Sequence, residues 1–181
     1  MTWLPRLRLA LLIVAVVVLQ TTLFSAGLRI FGIAPDLGLV LTVGIAYYQG
    51  PERGAAFGFA MGLALDLFLS TPLGLSALSF ALVGYGVGVI QGGLVRSSRW
   101  VAPIMGGLGG LAGGVLFVGV GALAGREEFL RVSSVRIILL ASAYDALLAF
   151  VIFPLARWAS RGVAQAGGWR GGWAGRDWAG R

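Results

Sequence analysis

The chain has 181 residues, of which 58% are hydrophobic and 12% are charged, and it contains neither Cys nor His. A soluble domain is about half apolar and about a quarter charged, so this composition excludes a soluble enzyme, a disordered chain and a nucleic-acid-binding module. The lack of Cys and His excludes disulfides, zinc sites and His-based catalytic triads. All 14 basic residues are Arg, and the net charge of +7 indicates positively charged loops at a membrane surface.

Six apolar stretches follow one another, and each approaches the roughly 20 residues that a helix needs to cross a bilayer. They cover residues 7–26, 33–48, 54–69, 73–95, 101–124 and 135–158. Pro35 and Asp36 interrupt the short second stretch early, so a re-entrant segment is an alternative there. The pattern predicts an all-α integral membrane protein in which residues 1–158 form a six-helix transmembrane bundle. The Gly/Trp/Arg-rich residues 159–181 are predicted to be a disordered cytoplasmic tail.

The distribution of arginines predicts the orientation of the chain. With both termini in the cytoplasm, ten of the 14 arginines lie inside. The remaining four lie outside, and they are Arg29, Arg126, Arg131 and Arg136. The positive-inside rule favours this arrangement. It also brings five aromatic residues to the inner interface, where aromatic belts form, namely Trp3, Tyr47, Tyr48, Trp100 and Trp158.

Glycines recur every four residues in the third, fourth and fifth stretches. The three series are Gly54, Gly58 and Gly62; Gly84, Gly88 and Gly92; and Gly106, Gly110 and Gly114. Four residues advance a helix by about 400°, so each series forms a slowly turning stripe on one helix face. Helix backbones approach closely where side chains are missing. The stripes predict packing between these helices of the same chain or, alternatively, contact with a partner's helix.

Carboxylates occur within the apolar stretches. Asp66 extends the stripe of the third stretch, and Asp145 lies near the middle of the sixth. A carboxylate inside a span costs about 2.5–3.5 kcal/mol on insertion scales, so both residues are expected to face protein or a wet cavity. Hydrogen bonding within the bundle is the main interpretation, and a proton relay or cation site is the alternative. Pro35 and Asp36 suit the start of the second helix, because Pro fits the first turn and Asp favours the positive helix end.

Several short motifs follow one another in a fixed order. They are Leu19-Gln20-Thr21-Thr22-Leu23-Phe24, Pro35-Asp36-Leu37, Gly50-Pro51-Glu52-Arg53-Gly54, Gly58-Phe59-Ala60-Met61-Gly62-Leu63 with Asp66, Thr71-Pro72-Leu73-Gly74-Leu75-Ser76-Ala77-Leu78, and Gly84-Tyr85. In this order and spacing, from about residue 19 to 157, the chain resembles the family of the rod shape-determining protein MreD. The positions that the resemblance carries over are Pro35, Asp36, Gly58, Gly62, Asp66, Gly74 and Tyr85.

The resemblance implies a multi-pass subunit of the bacterial inner membrane that takes part in cell elongation, cell shape and peptidoglycan synthesis. It implies no catalytic activity and no cofactor. The implied partner is an MreC-like protein and, through it, MreB, a SEDS glycan polymerase and a penicillin-binding transpeptidase. The implied fold is similar to the six-helix substrate-binding subunits of energy-coupling-factor transporters. The predicted mechanism is recognition between helices, with the glycine stripes admitting a partner's helix and Asp66 or Asp36 fixing the register.

Two other functions remain as alternatives. One is the substrate-binding subunit of a vitamin transporter, although Ala10 and Ala15 are five residues apart and do not form the Ala-xxx-Ala docking pattern of such subunits. The other is a small proton-coupled carrier that uses Asp66 and Asp145. No phosphate-binding loop or dinucleotide fingerprint occurs in the sequence, so an enzyme is not expected.

Overall fold

The computed structural model describes residues 3–25, 35–68, 73–91, 100–123 and 132–160. The described residues form six α-helices. In chain order these are α1 (Trp3–Ser25), α2 (Leu37–Gln49), α3 (Pro51–Phe68), α4 (Leu75–Ile90), α5 (Val101–Leu123) and α6 (Val132–Ser160). Each helix coincides with one of the six predicted stretches, so the all-α prediction is confirmed. Gly92 and the predicted tail beyond residue 160 lie outside the described residues.

The ends of α2 and α3 follow from local sequence. The Asp36 side chain accepts a hydrogen bond from the Leu39 N–H at 3.0 Å, which caps the start of α2. Gly50 has a φ of 89°, a backbone conformation that residues with a Cβ rarely adopt. This conformation lets the chain reverse direction after α2. Pro51 then occupies the first position of α3, where its missing N–H costs nothing. Asp36 is thus the N-cap residue of α2, and Pro35, expected in the first helical turn, instead precedes the helix because the capping residue stands between them.

Helix α2 lies at the centre of the bundle. Every residue of 37–47 is buried, and α2 packs against each of the other five helices. Its 13 residues span about 20 Å, which is less than the roughly 30 Å of a hydrocarbon core. It runs parallel to α6, with Gly44 against Ala156 and Gln49 bonded to Ser160. The N-terminus of α2 therefore lies level with the middle of the longer α6.

The outer surface of the bundle is largely apolar. Two of the described helical segments, Val101–Leu123 and Val135–Ser160, are long and apolar enough to cross a membrane. Three shorter helical segments are also apolar: Leu7–Thr22, Leu37–Gln49 and Leu75–Ile90. Large apolar side chains are exposed on the outer faces of α1, α3, α4, α5 and α6. This pattern is consistent with a helical membrane protein, whereas the crossing of a bilayer by all six helices stays a prediction.

Candidate functional site

The glycine stripes of α3 and α4 face each other. A Cβ built on Gly62 would lie 2.5 Å from the Cα of Ala77, and one on Gly54 would lie 2.7 Å from the Gly84 carbonyl oxygen. Gly58 faces the Phe80 carbonyl in the same way, and Gly88 faces the backbone of Pro51. The two backbones touch along most of their length because side chains are missing at these positions.

Helix α5 carries two glycine faces. Gly106, Gly110 and Gly114 face α6, where they contact Ala149, Asp145 and Ile138. Gly109 and Gly113 face α2, where they contact Val43 and Leu39. The four-residue spacing of glycines predicts the first face but not the second. The signal for it was the doubled glycine at 109–110 and at 113–114, since adjacent residues lie about 100° apart on a helix.

Asp66 caps a helix other than its own. From the last turns of α3, its buried Oδ2 atom accepts hydrogen bonds from the N–H groups of Gly74 at 2.8 Å and Ser76 at 3.2 Å. Gly74 has a φ of 93°, which places its own N–H towards the carboxylate at the start of α4. The carboxylate thus satisfies N–H groups that α4 itself leaves without acceptors, and it lies at the positive end of the helix dipole.

A buried polar cluster joins α1, α2 and α6. The Gln20 amide donates to Asp36 Oδ1 at 3.3 Å, and its oxygen accepts from the Gly38 N–H at 3.1 Å. Asp145 Oδ1 accepts from the Asp36 N–H at 3.0 Å. All these groups surround the N-terminus of α2, so a glutamine and a carboxylate from two other helices complete the cap that Asp36 begins.

The positive end of α2 offsets part of the cost of burying two carboxyl groups at this position. The partial positive charge of the α2 N-terminus lies between Asp36 and Asp145 and attracts both. Among the described residues, no arginine pairs with either carboxyl group. The Asp145 Oδ2 atom lies directly against Gly110, where a Cβ would be 2.5 Å from it. Gly110 therefore makes room for a carboxylate inside the helix packing of α5 and α6.

Of the remaining predicted site residues, Tyr85 lies apart from this cluster, whereas Pro35 directly precedes Asp36. Tyr85 is 53% exposed on the outer face of α4, and Pro35 is half-buried just before α2. No hydrogen bond joins Asp66 to Asp145 in the part of the chain that the structure describes; each has its own backbone partners. Tyr47, predicted at the inner interface, is buried within the bundle, with its ring 5.2 Å from that of Tyr48 and 5.7 Å from that of Phe153; its depth in the membrane stays a prediction.

The contacts that these carboxyl groups make in the structure are those of helix caps. Over the described ranges, no three His, Cys, Asp or Glu residues gather where they could hold a metal ion. The carboxylates of Asp36, Asp66 and Asp145 accept backbone N–H groups at the starts of α2 and α4. The polar side chains thus hold helices together, and glycine contacts supply the rest of the packing.

The fold and its buried caps define the class of this protein: an all-helical bundle, apolar outside, whose polar interior groups join its own helices. The family model described as rod shape-determining protein MreD matches residues 2–158, and the chain belongs to this family. The match confirms the resemblance drawn from the motifs, and it assigns the chain to a family of membrane proteins with a role in rod shape determination. No curated protein and no solved structure matches the chain.

Proposed function

We propose that this protein is a non-enzymatic scaffold subunit of the bacterial inner membrane that serves cell elongation by binding an MreC-like protein through helix contacts. Through that partner it would join MreB, a SEDS glycan polymerase and a penicillin-binding transpeptidase. The observation that carries the proposal is the use of the polar interior groups as helix caps, together with family membership. Polar interior groups that bond to the protein's own helices suit a scaffold, because the surfaces that bind a partner then lie on the outside of the bundle.

The partner's helix is proposed to lie on an outer face rather than on the glycine stripes. The described stripe glycines already contact neighbouring helices of the same chain, so a partner would have to displace those helices. On α4, the outward residues Leu78, Leu82, Tyr85 and Val89 are spaced by four, three and four positions. This spacing forms one continuous stripe of the kind that packs against another helix.

Tyr85 distinguishes this α4 stripe from the other outer faces. It places a hydroxyl among apolar neighbours, and Gly86 beside it has nothing within 4 Å of a built Cβ. A hydroxyl on a helix within a membrane is stabilised when a partner helix offers it a hydrogen-bond acceptor. A neighbouring glycine lets the backbone of that partner helix approach closely. We therefore propose Tyr85 and Gly86 as the centre of the partner face.

Site-specific photo-crosslinking tests this proposal. A photoreactive amino acid at position 85 should crosslink to the co-expressed MreC-like protein, whereas the same residue at position 59 should not. Phe59 is a matched control because it is an aromatic residue, 51% exposed, on the outer face of α3. Crosslinks from 59 and none from 85 would move the partner to α3. Failure of the full-length protein to co-purify with the MreC-like protein would refute the scaffold role.

The proposed orientation places both termini in the cytoplasm. It brings the start of α1 and the end of α6 to the inner side, in accord with the arginine distribution. A reporter that works only in the cytoplasm should be active when it is fused after Arg181. Activity of a reporter that works only outside the cytoplasm would reverse the proposed orientation.

A further inference from the structure

Arg8 of α1 and Trp158 of α6 meet at the end of the bundle where α1 begins and α6 ends. The guanidinium carbon of Arg8 lies 5.1 Å from the centroid of the Trp158 ring, within the range of a cation–π contact. Trp158 is 48% exposed and Arg8 is half-buried. The pair therefore lies at the outer surface of the bundle.

The charge of Arg8 has no carboxylate partner within the described ranges. Three of the acidic residues there, Asp36, Asp66 and Asp145, bond to backbone N–H groups near helix starts. The fourth, Glu52, is exposed in the first turn of α3. A guanidinium stacked on a ring keeps the N–H groups at its edge available, and their planar arrangement matches two oxygens of a phosphate. The pair thus complements a phosphate anion.

An apolar strip continues from this pair towards the middle of the bundle. Leu11 follows Arg8 by three residues on α1, and it is exposed. Leu155 and Val151 precede Trp158 by three and seven residues on α6, and they are exposed as well. These spacings place each residue on the same helix face as Arg8 or Trp158. The surface therefore combines a cation at the bundle end with apolar side chains deeper along the same two helices.

We propose that this surface, formed by Arg8, Leu11, Val151, Leu155 and Trp158, binds one anionic phospholipid. The phosphate lies at Arg8 beside the Trp158 ring, and an acyl chain lies along the leucines and Val151. The site rests on the proposed membrane location and is independent of the partner face on α4. It would join α1 to α6 at the end opposite the Gln20 contact.

Lipid titration of the full-length protein in detergent, followed by native mass spectrometry, tests the site. One molecule of phosphatidylglycerol should bind about tenfold more tightly than phosphatidylcholine, because a charge-assisted pair with the anionic lipid is the distinguishing contact. Equal affinity for the two lipids would overturn the proposal. Inorganic phosphate should not displace the lipid at comparable concentration, and displacement would identify a site for free phosphate instead.

Charge variants localise the binding. Arg8→Gln should weaken phosphatidylglycerol binding about tenfold, and Arg8→Lys should weaken it less because the charge remains. Arg136→Gln is the matched control, since Arg136 is an exposed arginine near the other end of α6. Its effect should stay below about twofold. Equal losses in Arg8→Gln and Arg136→Gln would mean non-specific attraction by net charge and would refute the site.

A second readout keeps Arg8 in place, so the test does not depend on the folding of Arg8→Gln. Phosphatidylglycerol with brominated acyl chains should quench tryptophan fluorescence, and most of the saturable quenching should disappear in Trp158→Phe. Undiminished quenching in that variant would contradict the proposal. Co-purification of Arg8→Gln with the MreC-like protein separates the two proposals: retained binding leaves the scaffold role standing even if the lipid site fails.

Discussion

The Asp145 carboxylate in the middle of α6 accepts a hydrogen bond from the backbone N–H of Asp36, a residue 109 positions earlier in the chain, at 3.0 Å. The bond fixes the start of the central helix α2 against the last helix. It also assigns Asp145 a definite acceptor role, which can be tested by comparing variants that keep or remove the acceptor.

Asp145→Asn should be tolerated better than Asp145→Leu. Asparagine keeps an oxygen that can accept from Asp36, whereas leucine leaves a buried N–H without an acceptor, at a cost of about 1–3 kcal/mol. Unfolding of the purified protein by a denaturing detergent measures the difference. Equal destabilisation by the two variants would show that the charge of Asp145, and not its acceptor oxygen, is what matters.

Asp66→Ala should destabilise the bundle by about 1–2 kcal/mol, because the first N–H groups of α4 lose the carboxylate that caps them. Asp66→Asn should have a milder effect than Asp66→Leu. The same unfolding assay applies, with Glu52→Ala as the control for removing an exposed carboxylate from α3. A loss in Glu52→Ala as large as that in Asp66→Ala would contradict the capping role.

Gly62→Ala and Gly86→Ala form a matched pair. A methyl group on Gly62 meets the backbone of Ala77, so the variant should lose about 1–3 kcal/mol through overpacking. Gly86 has open space around it, so its alanine variant should be neutral or more stable by up to about 1 kcal/mol. Thermal unfolding in detergent measures both. Similar stabilities would mean that α3 and α4 are not in backbone contact.

Partner binding measured together with unfolding should distinguish the packed glycines of α3 from Gly86. Gly58→Leu or Gly62→Leu should reduce recovery of the MreC-like protein because the α3–α4 packing is disturbed. Gly86→Leu should reduce recovery while leaving unfolding unchanged, because the new side chain projects into the proposed partner face. Co-purification measured beside thermal unfolding checks both expectations. Full recovery with Gly86→Leu would place the partner elsewhere.

Gln20→Leu should loosen α1. The Gln20 amide both donates to Asp36 and accepts from Gly38, and these are the polar contacts described between α1 and α2. Hydrogen–deuterium exchange should become faster in residues 12–22 of the variant and stay unchanged in α3 and α4. The α3–α4 pair serves as the internal control. Unchanged exchange in α1 would show that apolar contacts alone hold this helix.

Local sequence signals predicted the helices well. Apolar stretches of suitable length located all six, and Pro35-Asp36 and Gly50-Pro51 marked the ends of α2 because their backbone preferences act within a few residues. Glycine spacing predicted the closely packed faces of α3 and α4 and one of the two on α5, but not the face that carries Gly109 and Gly113. It did not predict the partner of each face, because a missing side chain permits close approach by any helix and specifies none.

The polar cluster depends on distant parts of the chain and was predicted only in part. Asp145 was expected to face protein, yet its pairing with Asp36 and the space provided by Gly110 follow from how α5 and α6 pack beside α2. The central position of α2 was also missed. The sequence of α2 is apolar on all sides, which fits a helix that faces lipid as well as one that is buried in protein. Which of these environments α2 has depends on the helices that pack around it. The similarity to energy-coupling-factor subunits stays a prediction.

The central position of α2 has a consequence for biogenesis. Its neighbours Asp145, Ala156 and Ser160 belong to α6, the last of the described helices along the chain. Until α6 leaves the ribosome, the start of α2 lacks its second carboxylate and its small-residue face at Gly44 has no cover. The native packing of α2 is therefore completed only after α6 has been made, and a nascent chain arrested before α6 would leave part of the α2 surface uncovered.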